Sequence, residues 1–219
     1  MTGVVLRLSA ATCVAYCSYS ICRAPLLPLF ARELGADPAL IGFVMGASTL
    51  TGIFVKLPAG ALSDILGRRP LLLAGAFVFA ILPFTYLAVS ALAGLVLLRF
   101  VHGSATAIFG PVAAATLSDV APPTRRGAWL SAYSTAQGAG QALGPVLAGY
   151  LVGAGRFDLA FVAAGAIGLA VPVIVAGVQP APRTLPQDAR WQHFRQGILE
   201  VGRDRLVLVA SGRRQRSSS

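Results

Sequence analysis

An arginine and a histidine, Arg99 and His102, lie three residues apart inside the apolar run "LAGLVLLRFVHGSATAIFG". On a helix, Gly103, Thr106 and Gly110 continue the face that Arg99 begins, at i+4, i+7 and i+11. A second apolar run carries Thr12, Tyr16, Tyr19 and Arg23 as a polar stripe, and in a third Gln137 and Gln141 stand one turn apart. A cation at mid-bilayer costs about 2.5–3.5 kcal/mol on insertion scales, so such groups face a partner or a wet cavity. Polar stripes on separate helices predict a shared cavity that holds a ligand by hydrogen bonds and positive charge. The candidate lining residues are Tyr16, Tyr19, Arg23, Arg99, His102, Thr106, Gln137 and Gln141. Arg23 and Arg99 suit an anionic or neutral polar ligand. Structural pairing is the alternative for Arg99, and a lone histidine such as His102 is more often packed or hydrogen-bonded. Lys56 is read as snorkelling inward.

A different cluster is written in "GALSDILGRRP", Gly60 to Pro70, between two apolar runs. Asp64 closes one run and Pro70 opens the next. A carboxylate at that junction can accept hydrogen bonds from the free N–H groups of a helix start and sits well in its dipole. Arg68 and Arg69 can reach acids on neighbouring loops, with Asp119 the first candidate. Such a cluster latches one conformation and releases it in another. A plain positive anchor with a tight turn is the alternative, but an anchor needs neither Asp64 nor Gly60. Elsewhere Ala136, Gly140, Gly144 and Ala148 recur every four residues, a small-residue groove for close helix contact, and Pro145 bends that helix.

The elements that carry these groups are membrane helices. Of 219 residues, 56% are hydrophobic and 12% charged, with a mean hydropathy of +0.73. Soluble domains carry about 25% charged residues. The apolar residues gather into runs of roughly 20, enough to cross a bilayer as a helix. Six spans are predicted, at about 8–30, 39–61, 71–89, 92–117, 128–151 and 158–178. The fold class expected is therefore an all-α integral membrane bundle of six helices over 1–178, followed by a cytoplasmic segment over 179–219. With the N-terminus inside, 13 of 18 cationic residues fall on the inner side, which puts both ends of the bundle in the cytoplasm. The net charge of +10 then belongs to topology, and nucleic acid is not an expected partner. Cys13, Cys17 and Cys22 share one run and make no disulfide framework. The chain has no H-E-x-x-H, no G-x-S-x-G and no paired intramembrane aspartates, so no catalytic residues and no metal ligands are assigned and an enzyme is not expected.

"GALSDILGRRPLL" resembles the signature between the second and third helices of the major facilitator superfamily, Gly-x-Leu-x-Asp followed by a basic residue, x, Gly and two more basic residues. Gly60, Leu62, Asp64, Gly67, Arg68, Arg69 and Leu72 match, while Ile65 stands at the first basic position. "RFVHGSA" resembles the family's Arg-x-x-Gln-Gly element, with Arg99 and Gly103 matching and His102 in place of Gln. "GQALGPVLAG" is similar to the Gly-x-x-x-Gly-Pro-x-x-Gly-Gly element of the antiporter branch through Gly140, Gly144, Pro145 and Gly149, with Ala148 replacing a glycine. The resemblance covers about residues 5–210. It implies a secondary transporter rather than an enzyme, whose cargo is a small molecule moved outward by alternating access across the cell (inner or plasma) membrane. It also implies an inner gate whose acid docks onto a helix of the second half, and a helix bend that limits leak. No cofactor is implied beyond a coupling ion in the complete transporter, a proton being one candidate. None of the eight acids lies deep within a span, so proton coupling is inherited from the resemblance alone.

Superfamily members commonly pair two six-helix halves about a central site. Here "LPQDARWQHFRQGILEVGRDR" reads as an amphipathic cytoplasmic helix, with Trp191, Phe194, Ile198 and Leu199 towards one side. "LVLVASG" then starts like a seventh span and breaks off into "RRQRSSS", as in a truncation or altered reading frame. The expectation is an N-terminal half, inactive alone. The alternatives are a half-size unit that works with a second copy, and a non-transporting membrane scaffold or remnant.

Overall fold

The computed structural model describes residues 2–153 and 156–180, and every regular element among them is helical. The predicted amphipathic helix and broken seventh span lie outside the described residues. The stretch expected as one first span is two helices, α1 (Thr2–Arg23) and α2 (Leu26–Glu33). Pro25 disfavours a helical backbone at Ala24 and brings no N–H of its own, so the helix stops and restarts there.

α3 (Pro38–Leu66) begins where a proline costs nothing, and the Asp37 carboxylate caps it by accepting from the Leu40 N–H at 2.7 Å. Gly67 separates it from α4 (Arg68–Thr85) with φ +120°, a backbone region that side chains exclude. A 3-10 turn (Tyr86–Ala88) follows, then α5 (Leu92–Val120), a second such turn (Pro123–Arg125), α6 (Arg126–Gly153) and α7 (Phe157–Ala176). α3 and α5 have 29 residues each, which at about 1.5 Å per residue outruns a hydrocarbon core of about 30 Å. Their ends therefore reach the interface, and those ends carry Asp64 and Asp119.

Among the described residues, five stretches are long and apolar enough to cross a membrane: Gly3–Glu33, Pro38–Lys56, Arg68–Ala88, Leu92–Val120 and Phe157–Ala176. The fifth expected span, at about 128–151 and formed by α6, is long enough but not among them. Its sequence "SAYSTAQGAGQALG" spends its length on small and polar residues.

α1 packs on α6 and α7, α3 on α5, and α4 on both α5 and α7. One apolar cluster gathers Leu8, Leu72, Phe79, Phe109, Leu117 and Val175, towards the end that carries Arg68. A second, at the opposite end, gathers Ile21, Leu26, Leu27, Tyr86, Leu95 and Phe161. Lipid-side apolar groups do not drive helix association, so small residues and interhelical hydrogen bonds must help. Both occur. A Cβ at Gly140 would stand 2.2 Å from the Cys13 carbonyl oxygen, and one at Gly144 2.7 Å from that of Cys17, so α6 lies directly on the α1 backbone. Ser18 donates to the Ala164 carbonyl of α7 at 2.8 Å, and Thr51 to the Phe100 carbonyl of α5 at 3.0 Å.

Candidate functional site

α1 and α3 stand across a cavity of about 380 Å³, with α5 and α6 completing its wall. α1 contributes Tyr16, Tyr19, Ser20 and Arg23, one face at steps of three and four. α6 contributes Gln137 and Gln141, and α5 contributes Thr106. From α3 come Ser48, Thr49, Gly52 and Lys56, again at turn spacing. Lys56 is not simply a snorkelling cation. Its stem lies back over Gly52, where a Cβ would be 3.6 Å from Cε and 3.9 Å from Nζ. Ser48 and Thr49 escaped the sequence reading, and Lys56 was not placed with the cavity there, although their i, i+1, i+8 spacing on one face was there to be seen.

Arg99 and His102 are fully buried and do not line this cavity; they sit behind it. The reason is Gly103. A Cβ there would meet the Ser48 Cα at 2.7 Å, so only a glycine lets α3 lie this close to α5. The approach brings Ser48 Oγ to 2.8 Å from Arg99 Nη2, while Tyr19 and Tyr86 accept from the same guanidinium at 3.3 and 3.5 Å. The Arg99 guanidinium carbon is 5.4 Å from the centre of the Tyr19 ring. His102 Nδ1 is 3.1 Å from the Tyr86 hydroxyl, and its ring meets Tyr19 edge-on at 5.0 Å. Arg99 Nε and His102 Nε2 have no hydrogen-bond partner among the described residues. A guanidinium stays charged in proteins, and every partner here is a neutral hydroxyl or ring. Tyr19 and Ser48 thus belong both to the cavity wall and to the buried cation behind it.

At the other end of the bundle, Arg68 is the hub of the loop between α3 and α4. It pairs with Asp64 at 2.6 Å and with Asp119, in the last turn of α5, at 3.0 Å, and it also donates to Ser63. These are the only ion pairs among the described residues. Asp64 therefore holds Arg68 rather than capping α4, whose N-cap Gly67 has no side-chain bond. Arg69 does not reach Asp119; it donates to the Ala176 carbonyl at 3.1 Å. Arg7 donates to the adjacent Gly177 carbonyl, so two arginines satisfy the free carbonyls of the α7 terminus, where cations suit the dipole. The Gly60 carbonyl accepts from Ser63 at 2.6 Å, and Leu62 is exposed. In α6, Gly140 and Gly144 are buried against α1, but Gly149 faces away with nothing within 4 Å of a Cβ. Pro145 lies inside that helix.

A helical membrane bundle with a polar, cation-bearing cavity between its helices defines a carrier-type membrane protein. Residues 8–212 match the sequence model of the Major Facilitator Superfamily, and the chain belongs to that family of transporters, which are not enzymes. It is 29% identical over 151 residues to an uncharacterized MFS-type transporter of Methanocaldococcus jannaschii, covering 69% of this chain and 39% of that protein. It is 28% identical to the "probable actinorhodin transporter" of Streptomyces coelicolor, covering 73% of this chain and 27% of the relative. Quinolone resistance protein NorA of Staphylococcus aureus is 24% identical, with 66% of this chain and 37% of NorA covered. Among solved structures, a bacterial homolog of the human lysosomal transporter Spinster, inward-facing and unoccupied, superposes with a TM-score of 0.72 at 17% identity, over 83% of this chain and 44% of that one. The human organic anion transporter MFSD10 superposes with a TM-score of 0.67 at 20% identity, over 85% and 49%. The chain thus spans less than half the length of each of these proteins.

Proposed function

We propose that the chain forms the N-terminal six-helix half of a secondary transporter that exports a small molecule by alternating access. The supporting observation is the polar cavity between α1, α3, α5 and α6: Arg23, Lys56 and Gln141 in its lining are exposed, although they sit among membrane helices. Exposed polar groups at that depth need water or a solute in front of them. A second six-helix unit, either a C-terminal half or a second copy, supplies the opposite wall, and the halves rock about the solute. The Arg68 hub is the inner latch, holding the ends of α3 and α5 together through Asp64 and Asp119. The bundle lies in the cell membrane with its N-terminus and the segment after α7 in the cytoplasm, as the distribution of arginines supports. Coupling, to a proton or another ion, uses groups of the second unit. Direction is outward, by analogy with a relative that is a quinolone resistance protein.

Dye efflux from cells tests this reading. Cells making the 219-residue chain alone retain both a cationic dye, ethidium, and an anionic one, carboxyfluorescein loaded as its diacetate, and cells making it fused after residue 180 to a second six-helix half lose at least one of the two faster than controls carrying the second half alone. Equal retention by the fused protein and by the second half alone contradicts the carrier reading. Efflux by the chain alone, with a defined dimer in native mass spectra, assigns the second unit to another copy.

A further inference from the structure

The cavity carries positive charge and, among the described residues, nothing to balance it. Its lining includes Arg23 and Lys56 and no acid, and Arg99 lies directly behind Tyr19 and Ser48. None of the three forms an ion pair among the described residues. The described acids, Glu33, Asp37, Asp64, Asp119 and Asp158, all sit at helix ends or caps, away from this wall.

The three cations are spaced along the groove. Arg99 Nη2 reaches both Tyr19 and Ser48, so those two residues share one level. α1 and α3 run in opposite directions, as successive spans must. Arg23 is four residues beyond Tyr19, about 6 Å above that level, and Lys56 is eight residues beyond Ser48, about 12 Å below it. Between them stand uncharged groups able to donate, Tyr16, Thr49, Gln137 and Gln141, beside Thr106, whose hydroxyl already donates to the Gly103 carbonyl at 3.0 Å. Low-dielectric walls focus the field of such a row into the cleft and concentrate counter-ions there.

We infer that the cavity takes an organic anion, a carboxylate of drug-like size, whose charge is bound by Arg23 or Lys56 while Arg99 keeps the middle of the wall positive. A cavity of about 380 Å³ lies within the range such ligands occupy. The charge-assisted bonds are the strong ones and the amides fix orientation. The inference rests on the carrier reading of the same cavity and adds the chemical class of the cargo.

The test compares two probes of one shape, 1-naphthoate and 1-naphthamide, by equilibrium binding to the purified 219-residue chain in a neutral detergent. The expected result is tighter binding of 1-naphthoate by about tenfold or more, weakening as salt is raised, with no salt effect on the amide. The double variant R23A/K56A loses that preference, and R32A, which changes an exposed arginine outside the cavity, keeps it. Salt dependence in the unaltered chain decides the matter even where the double variant fails to fold. Equal affinity for the two probes overturns the inference and leaves the carrier reading standing. Binding of neither probe also overturns it, and the efflux experiment then judges the carrier reading separately. Abolition of 1-naphthoate binding by phosphatidylglycerol, in nanodiscs that otherwise contain phosphatidylcholine, assigns the cations to a lipid headgroup and likewise overturns the solute inference.

Discussion

Arg99→Met is the most informative single change, because stability and function are expected to move in opposite directions. The guanidinium has no exposure and no carboxylate partner among the described residues, and of its three hydroxyl partners only Ser48 lies at an ideal 2.8 Å. Hydrogen bonds to a charged group contribute about 1.5–3 kcal/mol each, against a desolvation cost of several kcal/mol for the ion. Methionine keeps most of the length and volume and removes the charge. Ser48 keeps the Met45 carbonyl at 3.5 Å and Tyr86 keeps His102 at 3.1 Å, so only the Tyr19 hydroxyl is orphaned, at about 1–3 kcal/mol. Replacing buried ions by apolar residues of similar volume is commonly neutral or stabilising by about 1–4 kcal/mol. At about 2–4 °C per kcal/mol for a chain of this size, Arg99→Met should leave Tm unchanged or raise it by up to roughly 10 °C. Arg99→Ala empties the site and should cost about 2–5 kcal/mol relative to methionine. Intrinsic-fluorescence melting in detergent, beside efflux by the fused two-half protein, reads both effects. Retained or raised Tm with lost efflux marks a cation kept for function. A methionine variant as unstable as the alanine variant would refute the reasoning and make Arg99 a structural tie.

Gly140→Val should abolish folded protein in fluorescence-detected gel filtration, since its Cβ meets the α1 backbone at 2.2 Å, whereas Gly149→Ala should be silent. Gly67→Ala should lower stability by about 1–3 kcal/mol through its φ of +120°, read as a lower Tm. Arg68→Ala removes two partly exposed ion pairs worth about 0.2–1 kcal/mol each. The unaltered chain should therefore lose Tm as salt rises and the variant should not. Arg7→Ala with Arg69→Ala frees the terminal carbonyls of α7, and hydrogen exchange in its last turn should quicken while that of α5 stays unchanged.

Apolar runs were enough to find the long helices, and turn spacing was enough to put Tyr16, Tyr19 and Arg23 on one face of α1. What periodicity does not say is which neighbour covers a face. Arg99 and Thr106 are seven residues apart on one side of α5, yet Thr106 lines the cavity and Arg99 is sealed by Ser48. The sealing depends on Gly103 letting α3 approach, a long-range fact that its own stretch of sequence does not contain. Lys56 was misjudged for a similar reason: hydropathy sends a lone lysine to the nearest interface, but the bare surface of Gly52 lets its stem lie along the groove. Arg69 seemed to want an acid and instead found helix-end carbonyls, an acceptor that no motif advertises. The first span broke at Pro25 where apolar content alone ran on to residue 30.

The account stands on a wet, polar cavity inside a lipid-embedded bundle, and thiol accessibility measures that most directly. In a cysteine-free version of the chain in intact cells, a cysteine placed at Gln141 should react with a charged, membrane-impermeant methanethiosulfonate, and one at exposed Val173 of α7 should not. Equal inertness at both positions, or reaction at residue 173 with none at residue 141, would contradict it.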